Sequence, residues 1–277
     1  MNRFALSRSS SVAAPILLLA ICLALQGQDP NSVAAKTSPP ANTNNNSDLE
    51  PVAMQALKIM SQQLQAATTF SFTARITREE PATNGQMLDF FRHIDVQVQR
   101  PNKMHLEVKS GRSDMFLWYD GQNVTLMPAD AKIYTVIPAP PTIDATLTML
   151  RNKLQAHGQL FPILKSDPYS IMTDGLQSAD QVGVILVDNQ QFLHLAFREP
   201  GADWQLWLSG PNEVLPRRQV IIYKNVEGQP RVTIEYSNWK LHAEIPANAF
   251  VFMKPAGAVE ANLTAVLPKA GQGGKTK

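Results

Sequence analysis

The sequence predicts a mainly β chain with helices, an α+β protein built on one curved antiparallel sheet of about eleven strands. Three observations lead there. Apolar residues recur with a period of two over most of residues 70–239, the spacing of half-buried strands. Turn signals punctuate these runs at short intervals, so strands adjacent in sequence pair as hairpins and the sheet is antiparallel. Helical periodicity occurs only ahead of the sheet and in the middle of the chain, within residues 142–173. So many strands in one twisted sheet must curl, split or close, and the concave side is where the helices can bury their apolar stripes.

The elements follow in order. Asp48 is a good N-cap, with Pro51 in the first turn of a helix whose stripe is Ala53, Leu57, Met60 and Leu64. From Phe70 the period becomes two: Phe70, Phe72, Ala74 and Ile76 alternate with Ser71, Thr73, Arg75 and Thr77. Asn84-Gly85 marks a hairpin, and the return strand carries Leu88, Phe90, Arg92, Ile94, Val96 and Val98 on one face. Arg100-Pro101-Asn102 breaks it. Met104, Leu106 and Val108 define the next strand, 115–119 another, and Asp120-Gly121 turns the chain into strands at 124–127 and 132–137. Prolines at 138–141 end this run. A helix is expected over 142–156, with Ile143, Leu147, Leu150 and Leu154 on one side, and a shorter helical stretch over 162–173 is interrupted at Asp167-Pro168. Strands resume at 182–187, 191–198, 204–209, 219–225 and 231–239, separated by Asp188-Asn189, Pro200-Gly201, Gly210-Pro211 and Glu227-Gly228. Phe250 and Phe252 anchor a last short segment.

The ends read differently. Arg3 and Arg8 precede an apolar run at 13–25 that suits a secretory signal and is short for a bilayer span. The expected division is a signal peptide over 1–27, a disordered Pro/Asn/Thr linker over 28–47, one domain over 48–255 and a flexible tail over 256–277. A small-residue alternative for cleavage lies at Val33-Ala34-Ala35. Cys22 is the sole cysteine, so the mature domain has no disulfide and no thiolate chemistry. Ile21 before it is too large for a lipidated cysteine, which argues against an anchored form at Cys22; an uncleaved leader is the other anchored alternative to the expected periplasmic form. Without the two leader arginines the chain carries 23 basic and 23 acidic residues, with no cationic run, and nucleic acid is excluded as a partner. With 44% apolar and 17% charged residues the chain can bury a sizeable core.

Seven separated motifs then resemble a bacterial family. They are Arg100-Pro101, Trp118-Tyr119-Asp120-Gly121, Ala139-Pro140-Pro141-Thr142-Ile143-Asp144, His194-Leu195-Ala196-Phe197, Asp203-Trp204-Gln205-Leu206-Trp207, Leu215-Pro216-Arg217-Arg218 and Pro255-Ala256-Gly257-Ala258. The family is the predicted periplasmic domain of unknown function 2092, and the resemblance spans about residues 51–258. That family resembles the LolA/LolB type, the periplasmic lipoprotein carriers and receptors. The resemblance implies an incomplete antiparallel β-barrel with a helical lid over an apolar cavity, and a periplasmic location. It also implies a buried arginine tying lid to barrel, a role the sequence does not assign among Arg75, Arg92, Arg217 or any other.

The candidate cavity lining is the aromatic, methionine and aliphatic set on the strands and mid-chain helices. It comprises Phe72, Met104, Leu106, Met115, Trp118, Tyr134, Phe161, Leu164, Phe197, Trp204, Leu206, Trp207, Tyr223, Ile234 and Tyr236. Such surfaces suit acyl chains, although any one of these residues is by default core. Trp204 and Trp207 fall on opposite faces of one strand, so both faces are apolar there. The expected partner is an apolar small molecule, lipid or lipoprotein acyl chain, bound by a monomer, with an envelope protein as the alternative. No cofactor and no metal are expected, and the chain is not expected to be an enzyme. His194, Asp203 and Ser209 lack the spacing and elbow of a catalytic triad. The histidines, at 93, 105, 157, 194 and 242, include no H-x-x-x-H pair; His93 and Asp95 share a strand face but lack a third ligand. Gly274-Lys275-Thr276 lacks the upstream glycine and the helix of a phosphate loop.

Overall fold

The structure is a computed structural model that describes residues 48–82, 84–110, 114–129, 132–154, 160–210 and 213–263. The leader, Cys22, the linker at 28–47, His157 and Gly274-Lys275-Thr276 lie outside the described residues. Helix α1 (Pro51–Ala66) leads into strands β1 (Thr69–Pro81), β2 (Met87–Gln99), β3 (Lys103–Lys109), β4 (Met115–Tyr119), β5 (Asn123–Pro128) and β6 (Ile133–Pro138). Helices α2 (Ile143–Leu154), α3 (Phe161–Leu164) and α4 (Pro168–Thr173) follow. Strands β7 (Ser178–Val187), β8 (Gln190–Arg198), β9 (Ala202–Ser209), β10 (Pro216–Tyr223), β11 (Arg231–Leu241) and β12 (Val259–Glu260) complete the chain.

All twelve strands form one open sheet in the order β12-β6-β5-β4-β3-β2-β1-β11-β10-β9-β8-β7. It comprises two hairpin meanders, β1–β6 and β7–β11, joined by the β1–β11 pair, in which Ile76 opposes Ile234. Every pair but one is antiparallel; β12 runs parallel to β6. The sheet is an incomplete barrel, as expected, with one strand more than counted from the sequence. The extra strand is only two residues long and lies in the segment expected to be a tail, where alternation has no room to show. The mid-chain helical stretch divides: α3 ends at Leu164, and Asp167 caps the start of α4, accepting from the Ser170 amide at 3.1 Å.

This topology places the helices. Strands β6 and β7 are consecutive in sequence yet lie near opposite ends of the sheet. Their connection must cross the whole sheet, and α2, α3 and α4 ride on it. Helix α1 joins them, and just before it Leu49 bridges to Ala179 at the start of β7. Alternation does the rest. Phe70, Phe72, Ala74 and Ile76 of β1 are buried, and opposite them Val96 and Val98 of β2 and Ile234 and Tyr236 of β11 are buried too. From α1, Ala53, Leu57, Met60 and Leu64, the predicted stripe, are each 0% exposed and belong to the same core. Leu147 and Leu150 of α2 and Ile163 and Leu164 of α3 join them.

Candidate functional site

The inner face of the sheet, the side beneath the helices, is apolar almost from edge to edge. It includes Met104 and Val108 of β3, Met115, Leu117 and Tyr119 of β4, and Val124 and Leu126 of β5. On the other wing it continues through Leu206 and Trp204 of β9 to Leu195 and Phe197 of β8. Phe197 and Trp204 stack at 3.9 Å between centroids, and Phe72 stacks on Trp239 at 4.3 Å. Among the described residues, buried polar groups interrupt this surface at Thr135 of β6 and at a pair in which the Tyr236 hydroxyl donates to Gln219 Oε1 at 3.1 Å. Burial pushes the Tyr236 hydroxyl well above the usual phenol range.

Twelve of the fifteen candidate lining residues are in this core or packed against it: Phe72, Met104, Leu106, Met115, Phe161, Leu164, Phe197, Trp204, Leu206, Tyr223, Ile234 and Tyr236. The other three, Trp118, Tyr134 and Trp207, face away from the helices. Trp118 and Tyr134 meet across Phe252, at 5.2 and 4.9 Å from its ring, and Trp207 stacks on His194 at 4.1 Å. Strand parity separates them: Trp118 lies between the inward Leu117 and Tyr119, and Trp207 between the inward Leu206 and Leu208. Trp204 and Trp207 do fall on opposite faces. Among the described residues no helix covers Trp207; it is half-buried beside a groove on the outer face.

Polar ties hold the helical layer to itself and to the sheet. Within the layer, the Tyr169 amide donates to Ser61 Oγ at 2.9 Å, Gln65 Nε2 to Asp167 at 3.0 Å, and the Ser166 amide to Asp144 at 2.9 Å. Toward the sheet and its loops, the Val214 amide donates to Gln63 Oε1 at 2.7 Å and the Ile143 amide to the Pro101 carbonyl at 2.8 Å. The central tie is Arg100, at the end of β2. Its Nη1 donates to the Leu164 carbonyl at 3.2 Å and its Nη2 to the Lys165 carbonyl at 2.8 Å. Leu164 ends α3 and Lys165 is its C-cap, so both carbonyls are among the helix-end acceptors that lack an intrahelical donor. The guanidinium sits over the Phe70 ring at 5.3 Å. Its Nε is buried without a hydrogen-bond partner, and burial lowers the Arg100 pKa against the opposing pull of Asp144.

Arg100 joins a helix to the sheet in a way that Arg75 and Arg217 do not. Arg75 pairs with Glu235 at 3.1 Å and Arg217 donates to the Tyr236 carbonyl at 2.7 Å. Neither ties a helix to the sheet. Arg100 escaped because Arg-Pro reads as a strand break and its partners lie 64 and 65 residues away.

The acid–base candidates are dispersed. His194 Nε2 bonds Gln205 Oε1 at 2.9 Å. Asp203 accepts from Lys224 at 2.7 Å, which holds its carboxyl below the usual range. Ser209 Oγ donates to the Glu213 carbonyl at 2.7 Å. His93 lies 3.3 Å from Asp95, whose other oxygen meets Lys109 at 3.6 Å, so a cation stands beside that pair.

Among solved structures the chain is similar in fold to lipoprotein LppX of Mycobacterium tuberculosis, at 12% identity and a TM-score of 0.45, covering 72% of this chain and 99% of that one. It is also similar to the LolA superfamily protein NE2245 of Nitrosomonas europaea, at 10% identity and a TM-score of 0.36, covering 72% and 97%. The MucA/MucB complex of Pseudomonas aeruginosa holds a third similar chain, at 17% identity and a TM-score of 0.40, covering 73% of this chain and 61% of that one. No curated protein matches the sequence. The model of one family, DUF2092, matches residues 53–264, and the chain therefore belongs to this family, described as a predicted periplasmic protein.

Proposed function

We propose that this chain is an exported, non-enzymatic carrier that buries a lipid, a lipoprotein acyl chain or another apolar molecule between the inner face of the sheet and the helical layer. The observation that carries the proposal is the Arg100 tie. A long connection crosses an apolar sheet face and is fastened near its middle by one half-buried cation on two carbonyls. Such a fastening is costly to keep buried and easily exchanged for water once α3 lifts.

The magnitudes suit reversible exchange. Leu147, Leu150, Ile163, Leu164 and Met172 of α2–α4 are buried under this layer. Their burial is worth about 8–15 kcal/mol at about 1.5–3 kcal/mol per side chain. An acyl chain of about twelve methylenes taking their place recovers roughly 10 kcal/mol at about 0.8 kcal/mol each. Ligand hydrocarbon can thus replace lid hydrocarbon at little net cost, and lid movement gates entry and release.

The test begins with protein purified from the envelope fraction, extracted with organic solvent and read by mass spectrometry. The proposal expects a co-purifying lipid, binding of a dansylated undecanoate probe, and faster probe entry after Arg100→Leu. A chain that yields no lipid and ignores the probe in both forms is not a carrier.

A second reading, an envelope adaptor that binds another protein, is favoured by one observation. Strand β7 is an edge of the sheet, and its Val182, Val184 and Leu186 are 57%, 59% and 67% exposed. Free apolar edges invite an added strand. Stoichiometric, lipid-independent capture of a partner that Val184→Pro abolishes is the expected result, and capture indifferent to Val184→Pro removes this reading.

A further inference from the structure

The outer face of the sheet holds a groove of 660 Å³ that the carrier reading leaves unused. Its floor is a register ladder: Trp207, Arg218, Glu235, Arg75 and His93 stand opposite one another on five adjacent strands, β9, β10, β11, β1 and β2. One wall is the end of the β7–β8 hairpin, with Ile185, Val187 and Phe192 turned inward and Asp188 at the rim. The volume is that of a small-molecule site.

Charge and shape together define what would fit. Glu235 is shared by two arginines, Arg218 at 3.0 Å and Arg75 at 3.1 Å, so one positive charge is left over there. Arg217 adds another. It donates to the Tyr236 carbonyl, and among the described residues no carboxylate stands within ion-pair distance of it. Against Glu235 and Asp188 together, three arginines leave a net positive groove. The arrangement depends on a β-bulge. The register of β10 against β9 shifts between Pro216 and Arg218, and Arg217 and Arg218 both line the groove although they are consecutive. In an unbroken strand consecutive side chains point to opposite faces, and bulges are a device for re-aiming them. Opposite these cations lie surfaces that water does not favour: Ile185 and Val187 are 38% and 46% exposed. Trp207 is held flat there by His194.

We propose that this outer groove binds an amphipathic anion, a single carboxylate or phosphate head carried on an apolar body. The head is taken by Arg217 and Arg218, and the body lies along Ile185, Val187, Phe192 and Trp207. The site is independent of the inner face, because the sheet itself separates Trp207 from Leu206 and Leu208.

The experiment uses dodecanoate and decyl phosphate, with dodecanol as the uncharged control, each carrying a terminal diazirine. Cross-linked peptides are mapped by mass spectrometry on the folded wild-type chain and on Arg217→Glu and Arg217→Gln. The expected result is labelling within residues 185–192 and at Trp207 by either anion, about tenfold weaker for dodecanol and for Arg217→Glu, with Arg217→Gln intermediate. The stronger of the two anions identifies the head group. Labelling confined to inner-face peptides, equal labelling by dodecanol, or outer labelling indifferent to both Arg217 variants overturns the proposal. Inner-face labelling that persists through the Arg217 changes reports on the carrier reading alone, so either can fail without the other.

Discussion

The two faces of the sheet are made by the same strands and behave oppositely. Along β9, Trp204, Leu206 and Leu208 point to the helices and are at most 5% exposed, while Asp203, Gln205 and Trp207 point outward and are half-buried. The inner face is a largely hydrocarbon surface whose buried polar side chains, among the described residues, include Thr135 and the Tyr236–Gln219 pair. The outer face is a mosaic of ion pairs and stacked rings, with Arg218–Glu235–Arg75 as its centre. The inner face carries the folding energy, because removal of apolar area from water dominates stability. The outer face contributes little, because exposed ion pairs are screened and side-chain ordering offsets them. A surface free of stability demands is free to recognise ligands.

The comparison is sharpened first by Leu206→Ala. Leu206 is fully buried on the inner face of β9, and its truncation is expected to cost about 2–5 kcal/mol in denaturant unfolding. A cost below about 1 kcal/mol would mean the inner face is loosely packed. Next is Gly121→Ala, at the turn between β4 and β5. Gly121 has φ +101°, and an added Cβ would meet Asn102 Nδ2 at 2.8 Å. The expected loss is about 1–3 kcal/mol.

His105 tests the outer face by pH. It donates from Nδ1 to the Leu117 carbonyl at 3.0 Å and stacks on Trp118 at 5.1 Å. Burial lowers its pKa from the ordinary 6.5, against the opposing pull of the Leu117 carbonyl and Glu107. The unfolded chain therefore binds a proton first. Stability contributed by neutral His105 is present above pH 6.5 and is lost as pH falls through its folded-state value. His105→Asn should flatten that part of the stability profile, and an unchanged profile would remove the assignment. The smallest effect is expected from Arg75→Ala, at most about 1 kcal/mol and fading with salt.

Alternation made both faces legible in the sequence. On β1 and β3 the apolar face read from alternation packs into the core; on β2 it does so at Ile94, Val96 and Val98, while Leu88 at the far end is exposed, and Trp204 and Trp207 part as their spacing requires. Hydrophobicity alone grouped Trp118, Tyr134 and Trp207 with the rest; their parity against Leu117, Thr135 and Leu206 was the available signal. The extent of the sheet was legible from hairpins, but the path of the helices was not. It follows from β6 and β7 lying at opposite ends of the order, a consequence of the long-range β1–β11 pair. Arg100 was hidden for the same reason, since its partners Leu164 and Lys165 reach it only once that connection has crossed the sheet.

The central claim is that the helical layer is a lid released at Arg100. It is tested most directly by a distance between nitroxides at Ser166, just beyond α3, and Lys109, exposed on β3, in a chain with Cys22→Ser. Electron–electron double resonance should show one narrow distance in the empty wild type. A longer, broader distribution is expected with saturating dansylated undecanoate and in Arg100→Leu. A single unchanged distance with bound probe and in the variant would contradict a moving lid.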